Sequence, residues 1–151
     1  MFLEDYSMIT EVVIRTRYAE TDQMGIIYHA NYFVWFEIGR TEFLRQLNLS
    51  YKELEESNIL LPVIDVGCKY LKPTKYDDEI VIKTALTSLK GVKLVFRYEV
   101  VRKSDGVLLA EGYTKHAFVN KELKPVNFKK KMSHIWNVLN ECIEDRDNNA
   151  I

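Results

Sequence analysis

Residues 32–47 constrain the fold more than any other segment, because their apolar side chains lie on almost every side of a helix. At helical spacing they form one stripe, which neighbouring apolar positions widen beyond a single face. The stripe consists of Tyr32, Phe36, Gly39, Phe43 and Leu47, and the widening residues are Phe33, Trp35 and Leu44. Such a helix is stable only when other elements cover most of it. The sequence therefore predicts a long central helix, ending near residue 48, with a sheet wrapped around it.

The rest of the chain supplies the strands for such a sheet. Apolar and polar residues alternate before the helix and again in four segments after residue 59, which is the period of a strand. The predicted strands span residues 11–17, 61–70, 79–89, 92–103 and 107–120. Turn sequences at Lys90-Gly91 and Ser104-Asp105-Gly106 separate the last three. Consecutive hairpins favour an antiparallel sheet, so the predicted fold class is α+β, with five antiparallel strands around one helix.

Two smaller helical segments complete the predicted domain. The first covers residues 49–56, with Ser50 as its cap, and the second is an amphipathic C-terminal helix over about residues 127–143. A polar tail follows at residues 144–149. No repeat or linker interrupts the chain, which predicts a single domain over residues 1–151 with its core at about 11–120.

Charge and cysteine content exclude several classes of function. A net charge of -1 argues against a general nucleic-acid binder, which needs a basic surface for phosphates. Residues 1–5 lack a basic stretch followed by an apolar core, and no later run has the length of a membrane span, so we expect a cytoplasmic protein without membrane insertion. Cys68 and Cys142 lack metal-ligand spacing and are expected to be reduced and structural, and no metal is implied.

The loop before the central helix carries the chemistry. It contains an acid, Asp22, and it leads into the helix at Asn31, a plausible N-cap. Backbone N–H groups between His29 and Tyr32 would then be unpaired at the positive end of the helix dipole. An oxygen that gains negative charge would be stabilised there.

At this point the sequence resembles a known family. The loop motif is Thr21-Asp22-x-x-Gly25-x-x-Tyr28-His29-x-Asn31-Tyr32, followed by Trp35-Phe36-Glu37 and Arg40, and a second block spans residues 66–80 with an aromatic-x-x-Pro turn before an acid and a strand. These blocks resemble the 4-hydroxybenzoyl-CoA thioesterase-like branch of the hotdog-fold superfamily, and within it the YbgC-type acyl-CoA thioesterases. The resemblance covers about residues 12–119. It implies a hotdog fold and hydrolysis of a thioester to a carboxylic acid and CoA.

The resemblance also implies roles for individual residues. Asp22 matches the catalytic carboxylate, as general base for water or as nucleophile, and the sequence leaves both open. The backbone N–H of His29 matches the donor that polarises the thioester carbonyl. Gly25 would let the loop pass close to the substrate, and Tyr28, His29 and Asn31 would shape the loop and support the acid.

Assembly and substrate binding follow from the same resemblance. In the family the site lies between two subunits, so a homodimer or homotetramer is implied, acting on a thioester of CoA or acyl-carrier protein. The phosphates of CoA would meet basic residues of the sheet, with Lys90, Lys93 and Arg102 as candidates. No cofactor is implied, since CoA is part of the substrate. Ala30 stands where some relatives carry proline, which bears on the rigidity of the loop.

Other interpretations of these residues stay open at this stage. Glu37 is a rival acid, because one branch of hotdog thioesterases uses a helix carboxylate, although its helical spacing to Arg40 favours a structural ion pair. The His29 side chain is better explained as a structural hydrogen-bonding group than as a general acid. A hotdog hydratase acting on enoyl-thioesters, and a non-catalytic module that binds acyl-CoA or acyl-carrier protein, are the alternative functions.

Overall fold

Five antiparallel strands form one sheet in a computed structural model that describes residues 3–143. The strands are β1 (Thr10–Arg15), β2 (Val63–Tyr70), β3 (Glu79–Lys90), β4 (Lys93–Arg102) and β5 (Leu108–Ala117). Their order across the sheet is β1-β3-β4-β5-β2. The predicted α+β class is confirmed, and every strand lies within a few residues of its predicted position.

The position of β2 differs from the expectation of consecutive hairpins. It pairs with β5 at one edge of the sheet, whereas β3, which follows it in the chain, pairs with β1 and β4. Residues 71–78 therefore cross the end of the sheet. There Ile26 and Lys75 form a β-bridge, and the N–H of Ile27 donates to the carbonyl oxygen of Thr74 at 2.8 Å. The crossing segment thus holds the loop that precedes the helix.

The central helix α1 (Asn31–Gln46) lies on the sheet and ends slightly before its predicted limit. On one side of the helix, its side chains Trp35, Phe36 and Phe43 are fully buried. Val34 and Ile38, on the opposite side, are 52% and 40% exposed. The sheet therefore packs on the buried side of the helix as predicted, while Val34 and Ile38 leave part of the opposite side uncovered in the protomer.

The C-terminal region forms two helices where one was predicted. They are α3 (Phe128–Lys131) and α4 (Ser133–Glu141), and they follow the short helix α2 (Tyr51–Glu56) in the chain. The break falls at Met132, whose φ of -136° and ψ of 62° are not helical. Phe128 stacks on Phe118 at 4.1 Å, and the break allows Trp136 of α4 to be buried as well.

Two smaller predictions concern the chain's ends and caps. Ser50 caps α2 as predicted, accepting a hydrogen bond from the N–H of Glu53 at 3.1 Å. The polar tail predicted at residues 144–149 lies outside the described residues. Within residues 3–143, no helix is both long enough and apolar enough to cross a membrane.

A buried polar chain crosses the interior beside α1. The hydroxyls of Tyr98 and Thr114 lie 2.6 Å apart, and Nε2 of His116 lies 2.8 Å from the Thr114 hydroxyl. Nδ1 of His116 lies 3.1 Å from the carbonyl oxygen of Leu61, which can only accept, so Nδ1 carries the hydrogen. Burial lowers the pKa of His116 to about 4, so the ring is neutral at physiological pH. His116 lies in β5, within the strand predicted over residues 107–120.

Gly39 allows the close approach of α1 to β3 and yields a stability prediction. A Cβ at position 39 would overlap the hydroxyl oxygen of Thr84 and lie 3.1 Å from Ile82. We expect Gly39→Ala to lower the free energy of unfolding by about 1–3 kcal/mol, as overpacked cores do. Urea denaturation measures this difference.

The matched control is the double variant Gly39→Ala/Thr84→Ala. The Thr84 hydroxyl has no hydrogen-bond partner among the described residues. Its removal therefore breaks no hydrogen bond and makes room for the methyl group added at position 39. The double variant should therefore recover part of the loss. Equal stability of the single variant and the wild type would show that the helix does not pack through Gly39.

Candidate active site

Asp22 opens a tight turn that Gly25 makes possible. The N–H of Asp22 donates to the carbonyl oxygen of Ile26 at 2.8 Å, and the N–H of Gly25 donates back to the Asp22 carbonyl at 3.0 Å. Gly25 has a φ of +81°, a conformation that favours glycine. An added Cβ there would meet no atom within 4 Å, so within the protomer the turn conformation, and not space, requires glycine.

The turn fixes one oxygen of the Asp22 carboxylate. Oδ1 accepts hydrogen bonds from the N–H of Met24 at 2.8 Å and of Ile26 at 3.4 Å. Among the residues described, Oδ2 has no recorded partner. The side chain is therefore held by its own loop with one oxygen left for chemistry.

Glu20 joins this loop to α1, and the sequence analysis missed it. Its carboxylate is buried and accepts from the N–H of Arg17 at 2.8 Å and from Nε1 of Trp35 at 3.1 Å. Its carbonyl oxygen accepts from the N–H of Tyr28 at 2.8 Å and from Nδ2 of Asn31 at 2.9 Å. One residue thus ties both ends of the loop to the helix.

The N-cap of α1 is not the residue that the sequence predicted. The N-cap is Ala30, and no side chain caps the helix there. Asn31 is the first helical residue, and its amide reaches back to Glu20, so the predicted N-cap role is wrong while the predicted role in shaping the loop is consistent with this contact. Asn31 is thus a brace between the loop and the helix.

Two backbone donors remain unpaired where the loop enters α1. Within residues 3–143, neither the N–H of His29 nor that of Ala30 donates to a recorded acceptor. The following N–H groups are satisfied, since that of Asn31 donates to the carbonyl of Tyr28 at 3.0 Å. Unpaired N–H groups at a helix start attract an oxygen that carries negative charge.

Asp22 and His29 line the same cavity, which has a volume of about 410 Å³. Its other lining residues come from the loop, from α1 and from the crossing segment with the end of β2: Met24, Ile26, Ile27, Tyr32, Tyr70, Leu71, Lys72 and Pro73. The structure therefore places Asp22 and the residue before the helix start in the lining of one cavity.

The side chains of Tyr28 and His29 lie at the surface beside this cavity. Tyr28 is 47% exposed, and its ring centre lies 4.4 Å from that of His29. His29 also meets the edge of Tyr70, with 6.4 Å between ring centres. Among the described residues no hydrogen bond joins the His29 ring to Asp22. This geometry agrees with a backbone role for His29.

The basic residues predicted to hold CoA are not together in one protomer. Lys90 and Lys93 pair at the β3–β4 turn, whereas Arg102 is at the other end of β4, about 30 Å away at the usual rise per residue. Arg102 lies at the same end of the sheet as the Asp22 loop, but it pairs with Asp105 at 2.7 Å. Lys72, which the sequence analysis did not select, lines the cavity itself.

Glu37, the rival acid, lies elsewhere. It is exposed and lines a shallow groove with Val12 and Ile38, away from the Asp22 cavity. The predicted ion pair with Arg40 is wrong, because Nε of Arg40 instead donates to the hydroxyl of Tyr51 at 3.0 Å. Glu37 therefore forms no ion pair with Arg40 and does not line the Asp22 cavity of its own protomer.

Potential metal ligands do not cluster in the described part of the chain. No group of three or more His, Cys, Asp and Glu side chains converges there. Cys68 and Cys142 are both free thiols.

Similarity to known proteins identifies the family of this chain. A sequence model of the thioesterase superfamily, 4HBT, matches residues 24–109, which is more than half of the chain. The chain belongs to the thioesterase superfamily. The matched region contains the start of α1 and most of the sheet, and Asp22 lies two residues before it.

Relatives in this superfamily match most of the chain. YneP of Bacillus subtilis (strain 168), which bears a provisional name as an acyl-CoA thioesterase, is 40% identical over 123 residues, covering 81% of this chain and 88% of YneP. The acyl-CoA thioesterase YbgC of Haemophilus influenzae is 33% identical over 121 residues, covering 79% of this chain and 88% of its own. The predicted resemblance to YbgC-type proteins is confirmed.

The fold also has a thioesterase among its structural neighbours. The crystal structure of a DHNA-CoA thioesterase from Staphylococcus aureus superposes with a TM-score of 0.85 and 29% identity, covering 95% of both chains. The hotdog architecture predicted from the motif is confirmed by this superfamily member.

The connection through Glu20 gives a testable prediction. Glu20→Gln replaces one carboxylate oxygen with an amide NH₂, which donates hydrogen bonds and does not accept them. One of the buried groups that donate to Glu20 must therefore lose its acceptor. We expect the free energy of unfolding to fall by about 1–3 kcal/mol. Urea denaturation measures the change, and Trp35, a partner of the carboxylate, should report it in fluorescence.

Glu42→Gln is the matched control. Glu42 lies on the same side of the sheet and pairs at 3.0 Å with the exposed Arg45, an ion pair of the kind that contributes at most about 1 kcal/mol. If both variants lost the same stability, Glu20 would be an ordinary surface acid and not the link between the loop and α1.

Proposed function

We propose that this protein is an acyl-CoA thioesterase that hydrolyses a thioester to a free carboxylic acid and CoA. The observation that carries the proposal is the shared cavity of Asp22 and the unpaired N–H of His29 at the start of α1. The names of the relatives, YbgC among them, support CoA thioesters as the substrate class.

The reaction uses these groups in fixed roles. The thioester carbonyl oxygen accepts a hydrogen bond from the N–H of His29, which polarises the carbonyl. Oδ2 of Asp22 either removes a proton from the water that attacks the carbonyl carbon or attacks that carbon itself and forms an anhydride that water then opens. The carbon–sulfur bond breaks, and the thiolate of CoA takes up a proton.

The expected rate effects are large enough for an enzyme. One well-placed donor to a developing oxyanion contributes about 100- to 1,000-fold in rate. A positioned general base contributes about 100- to 10,000-fold. The mechanism requires no metal and no cofactor beyond the CoA of the substrate.

Self-association is part of the proposal, and β2 is the surface we assign to it. This strand lies at the edge of the sheet, and most of its residues are exposed, including Val63, Ile64 and Val66 at 41–48%. An apolar edge strand with free backbone groups favours pairing with another chain. Pairing through β2 would place Tyr70, and with it the Asp22 cavity, next to the partner subunit.

The proposal also covers the residues that bind CoA and the location of the protein in the cell. Lys72 at the cavity and Arg102 near it are placed to meet phosphates from this protomer, whereas Lys90 and Lys93 would have to act from the partner subunit. The cytoplasmic location predicted from the sequence is part of the same proposal.

Replacing Asp22 tests the mechanism. Asp22→Asn keeps the oxygen that accepts from Met24 but removes the base or nucleophile, so we expect kcat to fall by about 100- to 10,000-fold. Release of thiol from a chain-length series of acyl-CoA substrates is the measurement. Asp77→Asn is the control, because Asp77 is 62% exposed and its positive φ of 67° suits asparagine.

The same assay separates the alternative functions. A kcat near the wild-type value in Asp22→Asn would remove Asp22 from the mechanism. A binding module would retain acyl-CoA yet release no thiol at any chain length. A hydratase would add water to an enoyl-thioester with the thioester bond intact.

Assembly through β2 gives a second prediction. Val66→Glu places a charge on the exposed apolar edge, so we expect the dimer dissociation constant to rise by at least about 100-fold, with loss of activity. Sedimentation velocity measures the assembly. Val13→Glu is the control, since Val13 is 51% exposed on the opposite edge strand β1 and should leave the dimer intact. An unchanged dimer in Val66→Glu would place the interface elsewhere.

A further inference from the structure

The hydroxyl of Tyr70 makes a long-range hydrogen bond to the backbone where the loop enters α1. Tyr70 is the last residue of β2, and its hydroxyl donates to the carbonyl oxygen of His29 at 2.8 Å. The Tyr70 ring meets that of Tyr32 edge to face, with 4.9 Å between ring centres and 89° between planes. The Tyr70 ring thus packs against α1, and its hydroxyl bonds the backbone that precedes α1.

Two successive peptide groups are fixed by their carbonyls at this point. The carbonyl of Tyr28 accepts from the N–H of Asn31 at 3.0 Å, and the carbonyl of His29 accepts from Tyr70 and, at 3.4 Å, from the N–H of Tyr32. A peptide group is planar, with its C=O and N–H pointing in opposite directions. Fixing these two carbonyls therefore fixes the N–H groups of His29 and Ala30, neither of which has an acceptor among the described residues.

The bond from Tyr70 differs in kind from the others. The remaining bonds to these two carbonyls come from backbone N–H groups in the first turn of α1, which any sequence in that conformation would supply. Tyr70 supplies a side-chain hydroxyl from a strand 41 positions away. It also lines the cavity that contains Asp22.

We propose that Tyr70 is a positioning residue for thioester hydrolysis: it holds the His29–Ala30 peptide, which fixes the Ala30 N–H directly and keeps the neighbouring His29 N–H aligned with the reacting carbonyl. This inference rests on the proposed thioesterase function. Preorganised donors cost no reorganisation as charge develops on the carbonyl oxygen, whereas a mobile peptide would lose part of that advantage. Small misplacements near a reacting centre can cost as much as about 100-fold in rate.

The ionisation state of Tyr70 fits this role. Partial desolvation of the hydroxyl, on a residue that is 45% exposed, raises its pKa above the usual range, and the neighbouring Cys68 adds to the rise. The hydroxyl therefore keeps its proton, and its ability to donate, at any pH suitable for the enzyme.

Kinetics of Tyr70→Phe test the proposal. The variant keeps the ring and removes the hydroxyl, so kcat is expected to fall about 10- to 100-fold while KM for acyl-CoA stays within about twofold. Tyr113→Phe is the matched control: it removes the same atom from a tyrosine whose hydroxyl donates to Asp65 of β2 at 3.2 Å, and it should leave both constants unchanged. Sedimentation velocity and thermal melting of both variants establish that assembly and fold are retained.

A spectroscopic readout separates positioning from a merely structural tie. In the Asp22→Asn background, the infrared band of a ¹³C-labelled thioester carbonyl should shift to lower frequency on binding, because the backbone donors polarise it. Adding Tyr70→Phe should reduce or broaden that shift. An unchanged kcat in Tyr70→Phe, or a carbonyl shift that Tyr70→Phe leaves untouched, would overturn the proposal.

The failure of the broader proposal would look different. A wild-type protein that releases no thiol from any acyl-CoA would refute the thioesterase function and this inference with it. Thiol release by the wild type, combined with a Tyr70→Phe variant as active as Tyr113→Phe, would refute the role of Tyr70 alone.

Discussion

The geometry of the loop before α1 depends on the hydrogen bonds that the buried carboxylate of Glu20 accepts. Burying a carboxylate is costly unless its oxygens accept hydrogen bonds, and here they accept from the Arg17 backbone and the Trp35 ring. The Glu20 carbonyl at the same time holds Tyr28 and Asn31. The loop between β1 and α1 is therefore fixed to the helix at several points, and Asp22 sits in a turn whose position relative to the helix start is determined.

The sheet contributes to the site through its topology. Because β2 and β3 lie apart, the segment between them crosses the sheet end, where Thr74 bonds both the loop, at Ile27, and the helix, through the hydroxyl of Tyr32 at 2.8 Å. Tyr70 completes the support from the end of β2. The two sequence blocks that carry the family resemblance, separated by residues 41–65, are thus two halves of one support for the helix start. Both blocks therefore contact the loop that carries Asp22.

Local sequence patterns predicted the elements well and their relations less well. Alternation of apolar residues located the strands, and helical spacing located α1, since both signals are local. The place of β2 beside β5 depends on long-range pairing, which no local period reports. Asn31 has the side chain of an N-cap, but the amide of a first-turn residue can also reach back to the loop, and tertiary structure decided between them. Glu20 was missed because an acid in a polar loop carries no local sign that its carboxylate will be buried.

The central claim is that the Asp22 carboxylate and the N–H of His29 act on one carbonyl. A crystal structure with a non-hydrolysable acyl-CoA analogue, in which a methylene group replaces the thioester sulfur, tests it most directly. The account predicts the analogue's carbonyl oxygen at hydrogen-bonding distance, about 2.7–3.1 Å, from the His29 nitrogen. It also predicts that Asp22 Oδ2 faces the carbonyl carbon, directly or through one water. A carbonyl bound out of reach of both groups would contradict the account.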